Sequence, residues 1–191
     1  MKKLIFVLVV ILLGFSAVLI YNFAHNVTGS TPASAPWAPA RLQIPAIQVD
    51  ASVMGVGQTS GGVMDAPVSK AYNSPYWSSV FWYDVGAAPG QSGNAVIAGH
   101  VNRVGGDPAI FWLLSKLQAG DTVTIITNEG NVIKYTVNQV VRYPVNYPGQ
   151  QAINAVFGPT TGHHLNLITC SGVWTGSGYD ERLVVFTTQV S

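Results

Sequence analysis

Hydrophobic patterning divides the chain into two unlike parts. Leu4 to about Phe23 is an uncharged apolar run behind Lys2 and Lys3. Its roughly 20 residues, at about 1.5 Å each, would cross about 30 Å of hydrocarbon as a helix. Farther on, short β-rich runs alternate with turn signals, the pattern of a barrel or sandwich. These runs predict strands over Arg41–Ile44, Val49–Val53, Ala95–His100, Thr122–Thr127, Val132–Tyr143, Leu165–Cys170 and Arg182–Thr188. Asn128-Glu129-Gly130-Asn131 between two of them is a hairpin turn. One segment has helical spacing instead. From Pro108 to Leu117, Ile110, Phe111, Leu114 and Leu117 share a face, with Asp107 as cap and Gly120 as stop.

Between the two parts, Thr28 to Ala40 holds three prolines among small residues and no charge, the composition of an extended linker. The expected organisation is a membrane signal anchor over 1–27, a Pro/Ala/Ser linker over 28–40 and a folded domain over 41–191. Lys2 and Lys3 favour a cytoplasmic N-terminus, which leaves the domain outside the cell as a single-pass membrane protein. Ala33-Ser34-Ala35 has the residues of a cleavage site but lies far from the apolar run, so whether the anchor is removed stays open.

Composition narrows this picture further. Charged residues make up 9% and the formal net charge is +1, which argues against nucleic acid as a partner. Low charge with 20 glycines and 11 prolines suits an all-β domain with many turns. One cysteine excludes an intramolecular disulfide and any multi-cysteine zinc site.

That cysteine, Cys170, ends one predicted strand, and Arg182 opens the next. Strands joined by such a loop pair antiparallel, bringing the two residues together at the mouth of a hairpin. A thiol beside a fixed cation is a nucleophile with an anion stabiliser. His100, in Ala98-Gly99-His100-Val101-Asn102, is the leading acid or base. Cysteine, histidine and arginine make a minimal acyl-transfer set passing through a thioester. Bland readings stand beside this one. Cys170 can be an inert core residue, His100 a strand-end hydrogen bonder, and Arg182 a surface ion-pair partner of Asp180 or Glu181. His163 and His164 would point to opposite faces of a strand, poor geometry for a shared metal. Asp65, Asp107 and Asp121 sit beside turn residues and read as structural.

Several stretches taken in order resemble the sortases, cysteine transpeptidases that attach proteins to Gram-positive cell walls or build pili. They are Arg41-Leu-Gln-Ile-Pro-Ala-Ile-Gln-Val-Asp50, Gly61-Gly-Val-Met-Asp-Ala-Pro67 and Phe81-Trp-Tyr-Asp-Val-Gly-Ala-Ala-Pro-Gly90. Gly93-Asn-Ala-Val-Ile-Ala-Gly-His100, Leu167-Ile-Thr-Cys170 and Arg182-Leu-Val-Val185 complete the series. The resemblance spans Arg41 to Val190. It implies a closed eight-stranded β-barrel with one or two short helices, and Cys170, His100 and Arg182 at one end of a groove. It implies cleavage of an LPxTG-like or LAxTG-like sorting signal between Thr and Gly. The acyl group then passes to an amine of a peptidoglycan precursor or a pilin. Thr169, Val101 and Asn102 flank the matched residues and are expected to contact substrate. Trp174 either borders the groove or packs in its loop. Neither a cofactor nor a metal is expected. The Trp-Tyr and Gly-His-Val stretches look most like class E and F housekeeping types, although Asn102 stands where many relatives have an acidic residue.

Two other readings remain. An L,D-transpeptidase would place arginine two residues after cysteine, whereas here the gap is twelve. A membrane-tethered β-domain for adhesion or scaffolding would leave Cys170 buried and unreactive.

Overall fold

The computed structural model describes residues 37–145 and 149–190. No helix among them is long and apolar enough to cross a membrane, and the apolar run at 4–23 lies outside the described residues. Eight strands form the domain: β1 (Pro39–Ile44), β2 (Val49–Val56), β3 (Val80–Tyr83), β4 (Gly93–Ala98), β5 (Thr122–Thr127), β6 (Val132–Pro144), β7 (His163–Trp174) and β8 (Tyr179–Gln189). They close into a barrel in the order β1-β2-β3-β4-β7-β8-β6-β5. Closure removes the exposed edges that would otherwise template aggregation. All pairings are antiparallel except β2 with β3 and β4 with β7.

Alternation explains the interior. Leu42 and Ile44 of β1, Ile125 of β5, Leu165 and Leu167 of β7, and Leu183 and Val185 of β8 all point inward and are fully buried. Tyr135 of β6 is also buried, its hydroxyl accepting a hydrogen bond from the Gly90 amide at 2.7 Å. Trp37, ahead of β1, packs edge-on against Trp82 at 5.9 Å between ring centroids.

The hairpin at 128–131 forms as expected, with Gly130 at φ 84°. The helix expected over Pro108–Leu117 does not. Its first amides are claimed elsewhere: Ala109 donates to the Val101 carbonyl, Ile110 to Trp77 and Phe111 to His100. The first two of these would be unpaired in any helix. Phe111, however, would have to donate to Asp107, whose carbonyl accepts from the Arg103 amide instead. The chain therefore turns in short i→i−3 steps and ends in a 3-10 turn at Leu114–Lys116. The buried face is nevertheless the expected one, since Phe111, Leu114 and Leu117 all sit in the core.

The α-helix described is α1 (Gly149–Phe157), in the connection between β6 and β7. It lies on the outer face of the barrel, where Val156 packs with Val96 of β4 and Val184 of β8. Two side-chain amides pin its last turn. Asn166 of β7 donates to the Val156 carbonyl at 2.8 Å, and Asn94 of β4 donates to Gly158 at 2.9 Å.

Candidate active site

Three neighbouring strands assemble the site. In the β7–β8 ladder, Cys170 pairs directly with Arg182, which puts both side chains on one face of the sheet. β7 and β8 extend past both residues, to Trp174 and from Tyr179, so the pair sits inside the ladder rather than at its mouth. On the other side, β4 runs parallel to β7 with Ala98 beside Ile168, and the Gly99 amide continues the ladder to the Ile168 carbonyl at 3.1 Å. His100 lies two residues beyond Ala98, and Cys170 two beyond Ile168. The parallel register therefore carries both to the same level. Cys170 is part-buried.

Gly99 is required for this approach. A Cβ there would lie 2.8 Å from Phe111 Cε2, and closer still to Cδ2. Thr169, facing the opposite way from Cys170, is buried and donates its hydroxyl proton to the Gly99 carbonyl at 2.8 Å. It thereby ties the end of β4 to β7.

His100 is held on several sides. Its ring meets Trp77 edge-on at 4.9 Å and Phe81 at 5.5 Å between centroids. Nε2 lies 2.8 Å from the Pro67 carbonyl. A carbonyl only accepts, so Nε2 carries the proton and Nδ1 is the nitrogen left for proton transfer in the neutral ring. Arg182 is anchored through Nη1, which donates to the carbonyls of Tyr179 at 3.1 Å and Glu181 at 2.9 Å. Among the described residues its Nε and Nη2 have no protein partner. The acidic neighbours are engaged elsewhere: Glu181 lies 3.6 Å from Arg142 and accepts from Ser171, while Asp180 accepts from the Val173 amide at 2.6 Å. The guanidinium thus keeps its charge for an anion.

Cys170, His100 and Arg182 all line a cavity of about 480 Å³. Met64, Val63, Tyr83, Ile153, Phe157 and Ile168 supply much of its remaining wall, so the groove is mainly apolar with a small polar cluster. Among the other expected contact residues, Thr169 reaches this cavity, and Val101 lines a neighbouring one of about 250 Å³ that Thr169 and Cys170 also line. Asn102 forms an isolated bridge with Pro108. Trp174 is 59% exposed at the hairpin tip, 5.5 Å edge-on from Tyr179, and lies outside the groove wall. Ile153 and Phe157 were not foreseen, although their i, i+4 spacing is a helical signal. Pro67 and Trp77 gave no sequence signal as partners of His100. Among the described residues no group of three or more His, Cys, Asp or Glu side chains could hold a metal ion.

A thiol, an imidazole and an unneutralised guanidinium in one apolar groove form a site suited to acyl transfer through a thioester. The sortase domain family matches residues 42–190, and the chain belongs to that family of cysteine transpeptidases. A comparison with curated proteins finds no match. Solved structures with the same fold include sortase C-1 from Actinomyces oris, at TM-score 0.59 and 20% identity over 79% of this chain and 73% of that one. A Clostridium perfringens sortase D5 transpeptidase is similar at TM-score 0.56 and 19% identity, over 81% of this chain and 79% of that one. A lid mutant of Corynebacterium diphtheriae sortase A matches at TM-score 0.59 and 18% identity, over 81% and 70%.

Proposed function

We propose that this chain is a membrane-anchored, extracellular sortase that cleaves an LPxTG-like or LAxTG-like sorting signal between Thr and Gly. Cys170 is the nucleophile, His100 the proton donor and acceptor, and Arg182 the partner of the oxyanion. The observation that carries this reading is that Cys170 and Arg182, paired across β7 and β8, and His100, two residues past the end of β4, line one groove.

In the first half-reaction the Cys170 thiolate attacks the threonine carbonyl carbon, and its π electrons move to oxygen beside the Arg182 guanidinium. Collapse breaks the Thr–Gly C–N bond. The leaving glycine nitrogen takes a proton from the His100 imidazolium, leaving an acyl-thioester on Cys170. In the second half-reaction an amine of a peptidoglycan precursor or a pilin attacks that thioester. It gives its proton to neutral His100, and the thiolate departs. Water in place of the amine gives hydrolysis. The apolar wall of Met64, Ile153 and Phe157 suits an aliphatic residue of the sorting signal.

Extracellular placement rests on Lys2 and Lys3 ahead of the apolar run. The Trp-Tyr and Gly-His-Val stretches support a class E or F housekeeping role. The test is a transfer assay on the full chain, with paired LPxTG and LAxTG peptides and a glycine-based amine. Products joined after Thr support the reading, and the preferred peptide indicates the subclass. Cleavage at a different bond would refute it.

A further inference from the structure

We propose that the segment from Pro67 to Trp77 is a positioning strap for His100, and that the Tyr72–Asp107 hydrogen bond is the clasp holding it closed. The inference rests on the reading of His100 as the proton-transfer group.

The strap touches His100 at both ends. The Pro67 carbonyl takes the Nε2 proton at 2.8 Å, and the Trp77 ring packs on the imidazole at 4.9 Å. The strap folds on itself between these points, because Trp77 Nε1 donates to the Ala71 carbonyl at 2.8 Å. The Ser74 hydroxyl caps the short turn leading into Trp77. Pro67 joins this folded unit through Val68, Ser69 and Lys70, the Ser69 hydroxyl accepting from the Ala71 amide at 3.1 Å.

The strap is also tied to the loop that follows His100. The Tyr72 hydroxyl donates to Asp107 Oδ2 at 2.8 Å. The Arg103 guanidinium lies 5.1 Å from the centre of the Tyr72 ring, and Arg103 Nε donates to the Pro108 carbonyl at 3.2 Å. A second tie runs from the Ile110 amide to the Trp77 carbonyl at 2.9 Å. Tyr72 is 54% exposed, yet it meets a carboxylate and a guanidinium at once. The bond to Asp107 holds its hydroxyl above the ordinary tyrosine range, so it remains a donor.

The chemical consequence concerns which His100 nitrogen carries the proton in the neutral ring. With the strap closed, Pro67 holds the proton on Nε2 and Nδ1 is free for transfer. With the strap loosened, the neutral ring populates both tautomers, and the fraction ready to accept from the amine or to hand on its proton falls. Tyr72 and Asp107 are thus positioning residues that act through Pro67. The titratable and charged groups in play are Asp107 and Arg103 around Tyr72, and Cys170 and Arg182 in the groove with His100.

The test uses the full chain in detergent micelles with 15N-labelled histidine, and His100→Gln assigns the His100 signals among the 4 histidines. Two-bond proton–nitrogen correlation, taken where the imidazole is neutral, reads the tautomer without any substrate. Failure of the strap is thereby separated from failure of the enzymatic reading. The wild-type ring is expected as the Nε2–H form. Tyr72→Phe and Asp107→Ala should each give a mixture of tautomers. Their kcat should fall about three- to tenfold, the weight of one hydrogen bond, with KM changed by no more than about twofold. An Nδ1–H form in the wild type would overturn the proposal. So would both variants keeping the wild-type tautomer and kcat. If Tyr72→Phe melts below the assay temperature, Asp107→Ala decides by the same two readouts.

Discussion

Cys170 and Arg182 are placed by a ladder, whereas His100 is placed by loops. The cysteine and arginine oppose each other inside a β7–β8 pairing that runs from His164 beside Thr188 to Trp174 beside Tyr179. Shifting either residue would require slipping the whole register, which would turn the buried row of Leu165, Leu167, Leu183 and Val185 out of the core. His100 lies two residues past the end of β4 and depends on the Pro67 carbonyl, the Trp77 and Phe81 rings and the space left by Gly99. Within one site, then, the thiol and the cation are set by global topology, and the imidazole by local packing. The ladder half should tolerate neighbouring substitutions, while the loop half should not.

The largest effects come from removing the groups themselves. Cys170→Ala should reduce turnover below detection in the transfer assay and leave the melting temperature nearly unchanged, because the side chain is small and part-buried. His100→Ala and Arg182→Ala should each lower kcat/KM at least about a hundredfold, as expected for loss of a proton donor or an oxyanion partner. Retention of activity by either variant would remove that residue from the mechanism.

Gly99→Ala comes next and sharpens the comparison. The added Cβ overlaps Phe111, so it should cost about 1–3 kcal/mol as overpacking and displace His100 more than Cys170. Alkylation of Cys170 should then stay close to wild type while kcat falls. Parallel loss of both would show that the two halves move as one.

Thr169→Val removes the hydroxyl bonded to the Gly99 carbonyl and leaves a buried acceptor unpaired, at a cost of about 1–3 kcal/mol in denaturant unfolding. Its effect on kcat should be smaller than that of Gly99→Ala, since the Gly99–Ile168 ladder bond remains.

The smallest catalytic effect is expected away from the site, at Tyr135, whose burial pushes its hydroxyl up to about 12. The unfolded chain loses this proton near pH 10, so the folded state is favoured by the protonated form. Stability from this group is complete below about pH 10 and falls as the pH rises through about 12, by up to about 3 kcal/mol. Tyr135→Phe should flatten that alkaline limb in chemical denaturation. An unchanged limb would place the titration on another group.

The same division governs what the sequence made readable. The apolar runs of β7 and β8 and the short loop between them were enough to bring Cys170 to Arg182, because an antiparallel hairpin is a local object. The pairing of β4 with β7 was not readable from spacing. It is parallel, its partners lie about 70 residues apart, and loop closure leaves no local mark. β3 escaped notice because Val80-Phe81-Trp82 is buried on both faces and shows no alternation. α1 has no acidic residue in its first turn and no basic residue in its last, so the usual terminus signals are missing. The segment at 108–117 misled in the opposite direction. Its helical spacing is real, but the Phe111 amide serves the His100 carbonyl in place of the helical bond to Asp107. That loss of helix is part of how His100 is held.

Intact-mass measurement of the full chain, after brief incubation with LPxTG or LAxTG peptide and no amine, tests the central claim most directly. The account predicts an adduct on Cys170 equal to the peptide acylated through its threonine. That adduct should be absent in Cys170→Ala and discharged when a glycine-based amine is added. Peptide cleavage that persists in Cys170→Ala, or a thiol that alkylates only after denaturation, would contradict it.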